Sequence, residues 1–223
     1  MYGKFYCVSV GPGDPELMTL RSVRIIERCD VIAAPRTSGG NMLAFSIAEK
    51  VCDMSEKAVL PLDFPMKADE TAQRENHRLI AETFCSYLRK GQDVAMLNIG
   101  DVSVYSSCTY IAAELTTMGF DTEMCAGVPS FCAAAAELNI PLAEAKEPIV
   151  IVPAQYEKAG ELLVIDGTKV IMKGGKKLSD IKNMIKNDSK IYAAENCGFA
   201  DQHLYHSIND MDGCGYFTVV IVK

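Results

Sequence analysis

Short apolar runs separated by amphipathic stretches recur along the chain at a spacing that predicts alternating strands and helices. Residues 5–10 read as a strand, 17–28 as a helix, 30–34 as a strand ending at Pro35, and 41–51 as a helix after Gly39-Gly40. A short strand at 58–62 comes next, then a long helix within 69–90 closed by Gly91, a buried strand at 93–99, and a helix at 107–118 stopped by Gly119. In the long helix Leu79, Ile80, Phe84 and Leu88 recur at helical spacing beneath charged neighbours, so one face is expected to pack on a sheet. His77, set among charged residues, is expected to be exposed. This half reads as an α/β unit with a largely parallel sheet.

The rhythm changes after about residue 121. A strand at 122–126 leads into a small-residue helix around 130–138, then strands at 148–152, 169–173, 191–194 and 216–222, with a helix at 178–186 among them. Strand now dominates, as expected for a second α/β domain with a mixed sheet. The expected division is therefore 1–121 for an N-terminal domain with a mostly parallel sheet and 122–223 for a C-terminal domain. No internal repeat and no low-complexity segment interrupts the chain.

Composition narrows the function classes. The 223 residues suffice for one large or two small domains, each with its own core. Acidic residues outnumber basic ones, 29 to 22, and no basic run occurs, which disfavours a nucleic-acid partner and requires that cations facing an anionic substrate act locally. No apolar run approaches the roughly 20 residues needed to span a bilayer. Met1-Tyr2-Gly3-Lys4 lacks the apolar segment of a signal peptide, so a cytoplasmic protein is expected. The nine cysteines contain no C-x-x-C pair and are expected to be mostly buried, reduced thiols. His203-x-x-His206 would share a helical face, but two histidines without a third ligand do not make a metal site, and no protein-bound metal is expected.

Chemistry concentrates where strands break. Val10-Gly11-Pro12-Gly13-Asp14-Pro15 ends the first strand, with glycines that let a ligand approach the main chain and prolines that stiffen the loop. A dinucleotide fingerprint would need glycine at position 16, where Glu16 stands, which argues against a nicotinamide or flavin site. Three later segments repeat the arrangement: Ile99-Gly100-Asp101-Val102-Ser103-Val104-Tyr105-Ser106-Ser107, Ala126-Gly127-Val128-Pro129-Ser130, and Met172-Lys173-Gly174-Gly175-Lys176. Each sets backbone amides, carbonyls and short side chains at a strand end, as an uncharged or zwitterionic ligand requires.

Taken in order, these loops resemble the tetrapyrrole methylases, which use S-adenosylmethionine on uroporphyrinogen III, precorrins and, in one branch, diphthine precursors. The likeness covers nearly the whole chain. It implies two α/β domains with the cofactor in a cleft between them, usually in a homodimer. It places Pro12 against the cofactor, Gly100, Asp101 and Val104 around its methionine part, Pro129 and Ser130 in the pocket lining, and Met172 near the adenine. The segment Tyr105-Ser106-Ser107 with Tyr110-Ile111, the run Pro129-Ser130-Phe131 before Ile140-Pro141-Leu142, and Glu147-Pro148-Ile149 look most like the precorrin-2 C20-methyltransferase branch. Pro35 stands where uroporphyrinogen methylases carry an acid, and Asp101-Val102 departs from the usual Gly-Asp-Pro.

The substrate this implies carries several carboxylates, for which Arg36 is the first candidate partner and Lys173 the second, while Tyr105 is placed to stack on the ring or hydrogen-bond to it. No catalytic base is identified. A C11 or C17 precorrin methyltransferase, a diphthine synthase, and a non-catalytic nucleotide-binding module remain alternatives. Both precorrin-2 and its cobalt form, cobalt-factor II, fit, with the many thiols favouring the cobalt form.

Overall fold

The computed structural model describes residues 1–65, 69–175, 180, 189–211 and 213–223. Its contacts divide the chain into two units, Met1–Pro129 and Ser130–Lys223.

In the first unit β1 (Phe5–Ser9), β2 (Val31–Arg36), β3 (Ala58–Asp63), β4 (Val94–Asn98) and β5 (Thr122–Cys125) form one sheet in the order β3-β2-β4-β1-β5. Every neighbouring pair is parallel. Parallel neighbours need crossovers, supplied by α1 (Leu20–Arg28), α2 (Leu43–Ala48), α3 (Glu70–Leu88) and α4 (Cys108–Thr117). The first two crossovers run toward β3 and the last two toward β5, so right-handed connection puts α1 and α2 on one face and α3 and α4 on the other. The packing agrees. Phe5, Cys7, Val94 and Met96 share a core with Ile80, Phe84 and Leu88 of α3 and Ile111 and Leu115 of α4. The alternate residues Tyr6, Val8, Ala95 and Leu97 are buried as well, which is why these strands are apolar throughout.

Capping residues set the helix starts. Asp14 caps a single 3-10 turn, Pro15–Leu17, and Thr19 caps α1 by accepting the Ser22 N–H at 3.1 Å, so the helix begins three residues later than its apolar pattern predicts. Asp69 does the same for α3, accepting the Ala72 N–H at 2.8 Å. The buried stripe of α3 is Ile80, Ala81, Phe84, Cys85 and Leu88, which leaves Leu79 about 100° off the stripe and 49% exposed. Strand β2 continues through Pro35 to Arg36, past Ala33, the last residue it pairs with β4. Proline is tolerated where a strand is paired on one side only.

The first unit runs through Pro129, past the expected boundary at 121. β5 pairs with β1 as the edge of the first sheet, and its half-buried Thr122 and Glu123 and exposed Met124 change the hydrophobic rhythm before the unit ends.

The second unit contains α5 (Ser130–Glu137), β6 (Ile149–Pro153), α6 (Ala159–Leu163), β7 (Thr168–Met172), β8 (Ile191–Glu195), β9 (His203–Tyr205) and β10 (Thr218–Val222). Its sheet runs β6-β7-β10-β8-β9, with β6 and β7 parallel and the other pairs antiparallel. Val152, Leu163, Ile171, Ala193, Met211 and Val220 form its core. The expected helix at 178–186 lies outside the described residues except for Asp180, and α6 and β9 are additions to the expected elements. His203 is on β9 and His206 just beyond it, so the two imidazoles are not a helical pair. Eight of the nine cysteines are buried and Cys132 is exposed. No helix among the described residues is long and apolar enough to cross a membrane.

The packing of α3 makes a direct prediction. Phe84, fully buried and stacked on Phe5 at 5.4 Å between ring centroids, should cost about 3–5 kcal/mol of unfolding free energy when replaced by alanine. Leu79→Ala should change it by less than about 0.5 kcal/mol, both read by urea denaturation.

Candidate active site

Strands β1 and β4 are neighbours whose connections leave in opposite directions, the topological switch point at which open α/β sheets bind ligands beyond their carboxyl ends. Three loops meet there, at residues 10–14 after β1, 99–107 after β4 and 126–129 after β5. Gly100 donates its N–H to the Gly11 carbonyl at 2.7 Å, which bridges the first two loops. Ser9, fully buried at the end of β1, accepts the Val102 N–H on its Oγ at 3.0 Å.

Asp101 ties in the third loop. One carboxylate oxygen accepts the Gly127 N–H at 2.6 Å, and the other accepts the Ser103 N–H at 2.8 Å and the Ser103 hydroxyl. Burial by itself would raise this carboxyl, but the bonds from Gly127 and Ser103 outweigh it and hold its pKa below the ordinary carboxylate value. A Cβ at position 127 would lie 2.3 Å from Ser9 Cβ and 2.8 Å from the Gly100 carbonyl oxygen, so only glycine lets the loops close this tightly.

Pro12, Gly100 and Asp101 are buried in this junction, and Val104 and Pro129 are half-buried beside it. With both oxygens of Asp101 engaged by the loops, its side chain acts as a bracket, and what the loop offers a ligand is main chain. The N–H groups of Asp101 and Gly13 donate to no acceptor among the described residues although both residues are buried. Main-chain donors left open in this way suit the carboxylate of an amino-acid ligand. The donor set therefore fits the methionine part of S-adenosylmethionine.

Ser130, Met172 and Lys173 belong to the second unit. Ser130 opens α5, which packs on β8 and β10. Met172 is the half-buried last residue of β7, opposite Val219. Lys173 follows it at φ +60°, a left-handed conformation that is strained for a side chain of this size, and its Nζ lies 5.7 Å from the Tyr216 ring centroid. Tyr105, in the loop after β4, has a similar φ of +51° and a half-exposed ring.

Arg36 is not a free cation. Its Nε and Nη2 donate to the two Asp63 oxygens at 3.0 and 2.5 Å across the parallel β2–β3 pair, and Asn76 Nδ2 donates to the Asp63 carbonyl. This ion pair keeps the Asp63 carboxyl below its usual range. His77 departs from its expected surface position, being half-buried and stacked on Tyr110 at 5.1 Å, with burial lowering its pKa. No group of three or more His, Cys, Asp or Glu side chains that could hold a metal ion occurs among the described residues.

The sequence profile of the tetrapyrrole (corrin/porphyrin) methylases matches residues 4–210. The chain belongs to the tetrapyrrole methylase family. Over 99% of its length it is 30% identical to a probable cobalt-precorrin-2 C(20)-methyltransferase of Methanocaldococcus jannaschii, 96% of which is covered. It is 27% identical over its full length to the cobalt-precorrin-2 C(20)-methyltransferase of Salmonella typhimurium, with 97% of that protein covered. Among solved structures, uroporphyrin-III C-methyl transferase from Thermus thermophilus complexed with S-adenosyl homocysteine superposes with a TM-score of 0.75, covering 99% of this chain and 97% of that one at 18% identity. This last likeness concerns the fold, a tetrapyrrole methylase fold of two α/β units.

The Asp101 bracket predicts a particular acid response. A carboxyl whose folded pKa is depressed supplies stability that is complete above its unfolded value of about 3.9 and is lost as pH falls through the folded value. Asp101→Asn sets an amide NH2 against donors on one side or the other, and should cost about 1–3 kcal/mol at pH 7. That difference should narrow as pH falls below about 4, where the unfolded chain's carboxyl takes up its proton first, toward the depressed folded value. A difference that stays constant from pH 7 to 3 in urea unfolding contradicts the assignment.

Proposed function

We propose that the protein transfers the methyl group of S-adenosylmethionine to C20 of precorrin-2 or of its cobalt form, cobalt-factor II, in cobalamin biosynthesis. The observation that carries this reading is the end-to-end similarity, at 27–30% identity, to two proteins named for that reaction. Both names specify the cobalt form, and we take that form as the preferred substrate. A homodimer in the cytoplasm belongs to the same proposal.

Bound S-adenosylmethionine supplies a methyl group already activated by its sulfonium. The chain's task is then chiefly orientation, which can lower a barrier by up to about 7–11 kcal/mol in well-aligned cases. In this reading the Gly13 and Asp101 N–H groups hold the methionine carboxylate, Pro12 and Val104 limit its movement, Pro129 and Ser130 line the pocket, and Met172 lies by the adenine. C20 of a reduced tetrapyrrole is an enamine-like nucleophile, so no side chain has to generate it. A base that accepts the departing C20 proton is helpful but not required. Arg36 and Lys173 receive ring carboxylates and Tyr105 lies against the macrocycle. Because Asp63 already occupies both forks of Arg36, a substrate carboxylate exchanges with or joins an existing pair, as suits recognition of a polyanion by a chain with a net charge of −7.

Calorimetric titration should give micromolar binding of S-adenosylhomocysteine, about −8 kcal/mol. Absence of binding would return the glycine loops to plain strand-to-helix turns. Arg36→Ala should raise the substrate KM, or lower kcat/KM, by the equivalent of about 1–3 kcal/mol while leaving S-adenosylhomocysteine affinity unchanged. Equal losses in both would remove Arg36 from the substrate site.

A further inference from the structure

Glu195, the last residue of β8, takes no part in the assignments above. It faces Thr218 across β10, whose other neighbour, β7, ends in Met172 opposite Val219. Glu195 and Met172 thus flank the start of β10. One oxygen of Glu195 accepts the Gly215 N–H at 2.5 Å and the other accepts the Tyr205 hydroxyl at 3.1 Å. Burial, then the neighbouring Cys214 and Glu195, push the Tyr205 phenol well above its ordinary value, so it remains a donor.

The loop that Glu195 grips is the one on which the segment after Met172 rests. Gly174 donates its N–H to the Thr218 carbonyl at 3.0 Å, the Thr218 hydroxyl donates to the Gly215 carbonyl at 2.8 Å, and Asn196 donates its N–H to the Phe217 carbonyl at 3.0 Å. A Cβ on Gly175 would come within 1.9 Å of the Gly215 carbonyl oxygen, and Lys173 reaches over the Tyr216 ring. The path from Glu195 through Gly215 to Lys173–Gly175 is continuous packing and hydrogen bonding within one unit. A shift of Gly215 therefore moves the backbone after Met172.

We infer that Glu195 is a positioning residue for the adenosyl half of the cofactor, fixing residues 172–175 by clamping the Gly215 amide. This rests on the proposed place of Met172 beside the adenine. Glu195 need not touch the ligand, and the role asks for an acceptor at the Gly215 N–H, which glutamine retains and alanine lacks.

The test measures Kd for S-adenosylhomocysteine and for 5′-methylthioadenosine, which carries the same adenosyl group without the amino acid, together with KM for S-adenosylmethionine and kcat. Glu195→Ala should weaken both ligands alike by about tenfold and raise KM in step, with kcat at saturating cofactor within about twofold of wild type. Glu195→Gln should recover affinity to within about threefold. Wild-type Kd values in the alanine variant, or a loss confined to S-adenosylhomocysteine, overturn the inference. Should the alanine variant fail to fold, Tyr205→Phe, which removes one of the two bonds to Glu195, should weaken both ligands by about two- to fivefold, and unchanged values overturn it equally. Failure of the wild-type protein to bind S-adenosylhomocysteine would instead refute the methylase reading itself.

Discussion

A carboxylate accepting main-chain N–H groups where a strand ends is the interaction on which the ligand-facing parts of this molecule depend. A parallel sheet directs the carboxyl ends of its strands, and the loops that follow, to one edge. Such loops leave peptide groups unpaired, and a buried unpaired donor costs about 1–3 kcal/mol. Asp101 meets this in the first unit by gathering the Gly127 N–H and both Ser103 donors. Glu195 does so in the second, with the Gly215 N–H and the Tyr205 hydroxyl. Asp101 is desolvated in the process, and its charge-assisted bonds offset that cost. The loops become fixed surfaces that a ligand meets already ordered.

The same economy of charge runs through the rest of the chain. Lys4 and Arg21 both pair with Glu123, and Arg36 pairs with Asp63. These pairs are too exposed to add much to stability. Their consequence is that these three cations are held in place and neutralised until an anion competes for them. Recognition of a polycarboxylate then depends on position more than on overall attraction, in keeping with a net charge of −7.

What could be read from the sequence follows from what each element depends on. Strands β1 and β4 were legible because both their faces are buried, so Phe5 to Ser9 and Val94 to Asn98 carry no exposed position. The end of the first unit was harder to read, because β5 is an edge strand whose polar Thr122 and Glu123 interrupt the hydrophobic rhythm before the unit closes. Leu79 escaped because periodicity fixes a stripe's spacing better than its phase. At the site, glycine and proline signalled each loop, and the loops of residues 10–14, 99–107 and 126–129 do converge. The brackets were hidden: Ser9 is one hydroxyl in an apolar run, and neither Asp63 nor Glu195 stands in a recognisable pattern, since each acts on a residue distant in sequence and brought near only by strand pairing. His77 was misplaced for the same reason, its ring partner Tyr110 lying on a different helix.

The central claim is regiospecific methyl transfer, and locating the transferred carbon tests it most directly. Incubation with cobalt-factor II and S-adenosylmethionine labelled with carbon-13 at the methyl group, followed by NMR of the product, should show a single enriched methyl attached to the meso carbon C20. A label found at another ring carbon, or no transfer by a protein that binds S-adenosylhomocysteine, would contradict the account.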